Sequence, residues 1–296
     1  MTGSAEVRIR EVGPRDGLQA EEPVSVADRV RLIEALVVSG VRELEAVAFV
    51  SPKAVPSMAG AGEVLAAVER VAGVRYLALV PNVLGAELAV AAGVDGLSVT
   101  ASASEAYNEK NVHMTVEQSV EEVGRICALA APLPVDAVIS CAFGSPYEGD
   151  LEPRVVAALG GRMLEAGAGT ITFADTTGMA TPARVDALLA ASGTDIGLHL
   201  HETRGTALVN AYAALQAGVR RFDTSVGGLG GSPFAAGAAG NLATEDLVHL
   251  FDDLGVTTGI DLDRLLDASA LVASIVGHAV PSRVAAAGPR NRLSPV

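Results

Sequence analysis

The residues "VVSGVRELEAV", 37–47, carry the pattern from which the fold follows. An apolar helical stretch runs into Ser39 and Gly40, and a β-rich run starts at once. A glycine at that point ends a helix in the left-handed conformation, and the strand follows without a linker. The same phrase returns as "RVAGVRYLALV" (70–80), "AAGVDGLSVTA" (91–101), "LEAGAGTITFAD" (164–175) and "LQAGVRRFDTSV" (215–226). Each is the helix-to-strand half of a repeated βα unit.

Eight β-rich runs are expected, at 7–13, 41–47, 75–81, 96–101, 135–143, 170–175, 195–201 and 221–226. Helical patterns lie between them, the first beginning near Ser25 or Asp28. Such alternation implies a parallel sheet with right-handed crossovers. Eight units favour a closed (β/α)8 TIM barrel over an open doubly wound sheet. No G-x-G-x-x-G follows the first run, so a dinucleotide site has no support. A further helical stretch at about 261–277 lies beyond the eighth unit. The expected organisation is one catalytic α/β domain over 1–296, with the barrel at about 6–255 and a C-terminal helical region at about 256–296.

Composition narrows the function. Of 296 residues, 50% are hydrophobic and 3% aromatic, with no Trp, so the core is built from small and branched side chains. The formal charge of −14 repels phosphate backbones and argues against nucleic acid as a partner. It does not exclude small anions, because one arginine or metal ion overrides the global field locally. Cys127 and Cys141 are the only cysteines, which suggests a reducing compartment; Cys141 is expected to be a core thiol. No signal, anchor or membrane-spanning run is evident, so the expectation is a cytoplasmic protein with no membrane partner.

In a barrel, chemistry gathers at the C-terminal ends of the strands. The polar residues expected there are Arg15 and Asp16 after strand one, Glu45 on strand two, Asn82 after strand three, Asp175 after strand six, and His199 and His201 on strand seven. After strand eight comes a stretch with six glycines between 227 and 240, closed by Asn241. That glycine density suits a lid, although a floppy connection has the same composition. Side chains two apart on a strand share a face, about 6.6 Å apart at Cα. An isolated H-x-H is more often two hydrogen-bonded interior histidines than a metal site. Here Asp16 holds the matching place on strand one, a neighbour across the closing seam, so convergence is expected. One carboxylate, two imidazoles and an amide oxygen, with no thiolate, suit Mg2+ or Mn2+; Zn2+ is less favoured. Arg15 beside a dication implies an anionic ligand group between them.

Six motifs together resemble one family: "EVGPRDGLQ", "FVSPKAVPSM", "SCAFGSPYEGD", "FADTTGMATP", "HLHETRGTALVN" and "GGLGGSPFAAGAAGNLATEDLV". They are similar to the hydroxymethylglutaryl-CoA lyases, metal-dependent barrels related to the isopropylmalate and homocitrate synthases. The resemblance implies cleavage of an acyl-CoA thioester, 3-hydroxy-3-methylglutaryl-CoA or a close relative, to acetyl-CoA and a keto acid. It implies a cation held by Asp16, His199, His201 and Asn241, with Arg15, Glu45 and Asp175 in catalytic roles. Gln19, Asn82, Gly228, Gly230 and Gly231 fall on the substrate and lid side. Ser232 stands where the family has a catalytic cysteine, which puts proton delivery in question, and Ser145 stands where relatives often have another. A Claisen-type acyltransferase joining acetyl-CoA to a 2-oxo acid, and a non-catalytic acyl-CoA-binding relative, are the alternatives. A homodimer is compatible with the acidic barrel and its extra helix.

Overall fold

Eight parallel strands close on themselves in strict sequence order: β1 (Arg8–Glu11), β2 (Glu43–Ala48), β3 (Arg75–Leu79), β4 (Gly96–Ser102), β5 (Val135–Ser140), β6 (Thr170–Ala174), β7 (Gly197–His199) and β8 (Arg221–Thr224). The computed structural model describes residues 6–231 and 240–290. The ring is sealed by β1 and β8, where Arg10 is level with Asp223. This is the expected (β/α)8 barrel.

Outside the ring lie α1 (Val26–Val38), α2 (Ala61–Ala67), α3 (Val83–Ala91), α4 (Glu105–Val112), α5 (Val116–Ala130), α6 (Pro153–Glu165), α7 (Pro182–Ser192), α8 (Ala207–Ala217) and α9 (Thr244–Asp253). Then α10 (Leu262–Val276) and α11 (Arg283–Ala287) form the C-terminal helical region. The five repeated glycines all adopt positive φ: 103° at Gly40, 81° at Gly73, 76° at Gly93, 112° at Gly167 and 113° at Gly218. Only glycine takes that turn without strain, which is why the phrase recurs. Helix starts are equally local. Ser25 accepts a hydrogen bond from Asp28 N at 3.1 Å, and Thr115 forms a capping box with Gln118.

The apolar core fills the layer between strands and helices, through residues such as Leu32, Ile33, Leu36, Leu44, Phe173 and Leu198. α10 lays Leu265, Ala268 and Val272 against this core beside α1. Inside the ring the packing is different. The level below the mouth holds Arg10, Ser98, Asp136, Thr172 and Asp223, all buried, where branched apolar side chains are usual. Among the described residues no helix is long and apolar enough to cross a membrane.

Candidate active site

The site begins where β1 ends. There the chain makes one π-helical turn, Gly13–Gly17, which presents Arg15 and Asp16 at the barrel mouth. Gly13 leaves the room: a Cβ there would lie 2.6 Å from Glu11 Oε1 and 2.8 Å from Val226 Cγ1.

Arg15 lies between two carboxylates. Its Nε donates to Glu45 Oε2 at 2.5 Å and its Nη1 to Asp16 Oδ1 at 2.5 Å, while Nη2 pairs with the same Glu45 oxygen. A planar fork suits this double grip; an ammonium does not.

Strand seven stops at His199, two residues short of the expected end. His201 instead forms an isolated antiparallel bridge with Asn241. Leu242 N donates to Leu200 O at 2.9 Å and Glu202 N to Gly240 O at 3.0 Å, which ties 240–242 to 200–202. The consequence is local. The Asn241 amide reaches Asp16, with Nδ2 donating to Asp16 Oδ2 at 2.7 Å and to Leu229 O at 2.9 Å. Gly230 keeps this arrangement open, since a Cβ on it would stand 2.4 Å from Asn241 Nδ2.

The two imidazoles converge. His199 Nε2 is 3.1 Å from His201 Nε2 and 3.9 Å from Asp16 Oδ2. His199 Nδ1 is 3.2 Å from Asp223 Oδ2. An Nδ1–H donated to that carboxylate leaves the Nε2 lone pair free to ligate. One ligand atom from each of Asp16, His199 and His201 can be chosen so that all lie within 4.8 Å of one another. Asn241 Oδ1 is buried and has no hydrogen-bond partner. An orphaned amide oxygen beside a carboxylate and two facing imidazole nitrogens fits a divalent cation.

The field agrees. Burial alone would raise the Asp16 carboxyl, but the Arg15 guanidinium and both imidazoles outweigh it and hold it well below the usual carboxylate range. Burial likewise opposes ionisation of Asp223, yet Arg10 and His199 bring it down to about 2.

A cavity of about 640 Å3 opens over these groups, lined by Arg15, Asp16, Gln19, Glu45, Asn82, His199, His201 and Gly231. The lining also includes the apolar Val50, Val55, Leu79 and Val138. Asn82 also has a structural task, accepting from Gly85 N at 2.9 Å as the cap of α3. Gly228 lines a neighbouring cavity of about 660 Å3. Asp175 is not part of the lining. Its backbone N donates to His199 O at 2.8 Å, and its Oδ1 accepts from Met179 N and Ala180 N at 2.7 and 3.0 Å. Its Oδ2 is buried without a partner, and burial pushes the carboxyl up to about 7. Cys141 is buried, with its thiol pushed up to about 12, as befits a core residue. Ser145 is buried, its hydroxyl 2.8 Å from that of Ser104. Ser232, and with it most of the glycine-rich stretch, lies outside the described residues.

Three polar groups beneath the site were not anticipated: Arg10, Asp136 and Asp223. So were two buried acids at its flank, Glu11 and Glu245. For Arg10, Glu11, Asp136 and Asp223 the available signal was a charged residue within strand runs that a parallel barrel buries on both faces; Glu245, in the first turn of α9, carried no such signal.

The comparisons with known proteins point one way. A family model described as HMGL-like matches residues 6–272. The 3-hydroxy-3-isohexenylglutaryl-CoA/hydroxy-methylglutaryl-CoA lyase of Pseudomonas aeruginosa is 40% identical over 289 residues, 95% of this chain and 96% of that protein. The mitochondrial hydroxymethylglutaryl-CoA lyase of Gallus gallus is 40% identical, across 96% of this chain and 98% of its own length. Among solved structures, an HMG-CoA lyase from Acinetobacter baumannii, in complex with coenzyme A and 3-methylmalate, superposes with a TM-score of 0.95 at 39% identity, covering 100% of this chain and 99% of that one. With fold, site geometry and near full-length similarity in agreement, the chain belongs to the hydroxymethylglutaryl-CoA lyase family.

Proposed function

We propose that this chain cleaves 3-hydroxy-3-methylglutaryl-CoA to acetyl-CoA and acetoacetate in the cavity at the barrel mouth. The observation that carries the proposal is the convergence of Asp16, His199, His201 and Asn241 beside the Arg15 guanidinium. Mg2+ or Mn2+ is the proposed ion, because oxygen donors with two imidazoles and no thiolate suit them better than Zn2+. When bound, such an ion supplies Lewis acidity that makes the substrate's tertiary hydroxyl easier to deprotonate.

The chain's own groups do the rest. Glu45 and Asp16 fix the Arg15 fork, so that its charge is aimed rather than free. Arg15 is placed to stabilise the thioester enolate oxygen as the carbon–carbon bond breaks. Asp175, whose carboxyl accepts from Met179 N and Ala180 N, stiffens the 175–180 turn beside His199. Asn82 and Gln19 line the cavity.

The test is product analysis. Purified protein with 3-hydroxy-3-methylglutaryl-CoA and Mg2+ or Mn2+ is expected to yield acetoacetate and acetyl-CoA in equal amounts, and neither after chelation. Release of free CoA without acetoacetate would overturn the reading. A second reading rests on the apolar lining residues Val50, Val55, Leu79 and Val138, which can receive a longer 3-alkyl group. The Pseudomonas aeruginosa relative bears the name of an isohexenylglutaryl-CoA lyase, and the corresponding thioester belongs in the same assay.

A further inference from the structure

Beneath the mouth, the barrel carries an arginine on its inner face where an apolar layer is the norm. Arg10 grips Asp223 with both arms of its fork, Nε to Oδ1 at 2.8 Å and Nη2 to Oδ2 at 2.6 Å. Its remaining nitrogen, Nη1, donates to Asp136 Oδ2 at 2.9 Å and to Ser98 Oγ at 3.3 Å. Asp136 is held in turn by Thr172 Oγ1 at 2.8 Å and Thr170 Oγ1 at 2.5 Å. The layer is shaped for the guanidinium. Ser98 and Thr172 are small, and Gly197 sits two residues below His199, where a Cβ would meet Thr172 Oγ1 at 2.5 Å.

Asp223 connects this layer to the site above. The same Oδ2 that receives Arg10 faces His199 Nδ1 at 3.2 Å. Asp223 lines the mouth cavity and also a smaller one of about 210 Å3 at the opposite end of the barrel, which Arg10 and Asp136 share. It is the partition between them.

We propose that Arg10 is a positioning residue for the metal centre, acting through Asp223 on His199, with Asp136 as its anchor on the far side. Two physical effects follow. The bidentate grip fixes the plane of the Asp223 carboxylate and so the tilt of the His199 ring. Sharing the carboxylate's charge also softens its pull on the imidazole N–H and so moderates the donor strength of Nε2, an effect opposite in sign to the loss of ring position and smaller than it. A hydrophobic residue in this layer would supply neither. Both effects are exerted without Arg10 touching substrate.

The inference rests on the metal reading above, and the experiment separates the two. Mn2+ binding is measured without substrate, by electron paramagnetic resonance and calorimetry, on wild type, Arg10→Met and Arg10→Lys. Wild type binds Mn2+ if the metal reading holds; if it does not, that reading and this inference fall together. Given wild-type binding, Arg10→Met is expected to weaken the Mn2+ dissociation constant about 10-fold or more, the usual size of an outer-partner loss. Arg10→Lys keeps a positive charge but not the fork, and is expected to lie between the two. The His199 Nδ1–H proton resonance should shift in both variants. Unchanged Mn2+ affinity and an unmoved resonance in a folded variant would overturn the inference and leave the metal reading standing. A drop in melting temperature alone would mark Arg10 as structural only and would likewise overturn it. Should Arg10→Met fail to fold, Arg10→Lys decides by the same criteria.

Discussion

The Nε2 atoms of His199 and His201 face one another at 3.1 Å, with the Nδ1 side of His199 already turned to Asp223. If Nδ1 of His199 carries the proton, its Nε2 is a bare lone pair pointing at another ring nitrogen. Two things satisfy it, an N–H donated from His201 Nε2 or a cation held by both rings, and metal binding separates them. His199→Ala, His201→Ala and Asp16→Asn are each expected to lower Mn2+ affinity by about 100-fold or more and to abolish acetoacetate formation. Calorimetry of the chelated, repurified variants checks this, and near wild-type affinity in any of them would remove that residue from the ligand set.

Arg15 offers a sharper separation of binding from chemistry. Its fork spans Glu45 and Asp16, and a lysine ammonium, though it has three donors, offers no planar fork to aim at a third group. Arg15→Lys is expected to reduce kcat about 100-fold or more, the size typical of losing one aimed donor to a developing oxyanion. KM should change far less. Steady-state kinetics on the metal-loaded variant measure both, and a purely KM effect would relocate Arg15 to substrate binding.

The parts of this picture that were legible in sequence are the local ones. A glycine that must turn left-handed at Gly40, Gly73, Gly93, Gly167 or Gly218 announces itself within ten residues, and the barrel follows from the repetition. His199, His201 and Asp16 were visible because strand ends are visible, and Asn241 because it closes a glycine-dense stretch. The polar floor was not. Arg10 and Asp136 lie 126 positions apart, Arg10 and Asp223 lie 213 apart, and their meeting depends on how the closed barrel sets eight strands in register. The grip of Glu45 on Arg15 depends on the π-turn after β1, which no periodicity foretells. His201 left its strand because Asn241 recruits it into a bridge, a tertiary contact that outranks the β pattern.

Gly230 is the position at which a single methyl group should disturb the metal centre without removing a ligand. Its φ is +116°, and an added Cβ would stand 2.4 Å from Asn241 Nδ2 and 3.2 Å from Asp16 O. Gly230→Ala therefore strains the backbone and pushes Asn241 away from Asp16 together. The cost is on the order of 1–3 kcal/mol in stability, with a larger proportional loss in Mn2+ affinity than in melting temperature. Thermal unfolding and calorimetry on one preparation compare the two, and intact affinity would mean that Asn241 does not ligate.

Ser232, outside the described residues, bears on proton delivery by its chemistry alone. A thiol titrates near 8.5 and an alkyl hydroxyl far higher, so serine is the poorer acid toward an enolate. Ser232→Cys is expected to raise kcat on 3-hydroxy-3-methylglutaryl-CoA and to make the variant sensitive to thiol alkylation. An unchanged or lower kcat would show that proton delivery in this chain runs through another group.

Stability should fall as pH rises from about 5 to 8, because of buried carboxyls beside the site: Asp175, raised by burial to about 7, and two glutamates. Glu11 Oε1 accepts from Gly13 N at 2.7 Å and Val226 N at 2.8 Å, and Oε2 meets Thr244 Oγ1 at 2.5 Å. Burial, opposed by those bonds, pushes its carboxyl up to about 8. Glu245 receives Gly227 N, and burial raises it to about 7. A carboxyl raised on folding keeps a proton that the unfolded chain releases above about 4.5. Its contribution is therefore complete below that pH and is lost as pH climbs through the folded value. The limiting slope is about 1.4 kcal/mol per pH unit for each such proton. Glu11→Gln mimics the protonated acid: the amide nitrogen donates to Thr244 Oγ1, which passes its own hydrogen to Thr224 Oγ1, 2.8 Å away. The substitution should flatten the melting-temperature profile of the metal-free protein between pH 5 and 8, and should leave it least changed at pH 5. A profile as steep as wild type would place the titration elsewhere than Glu11.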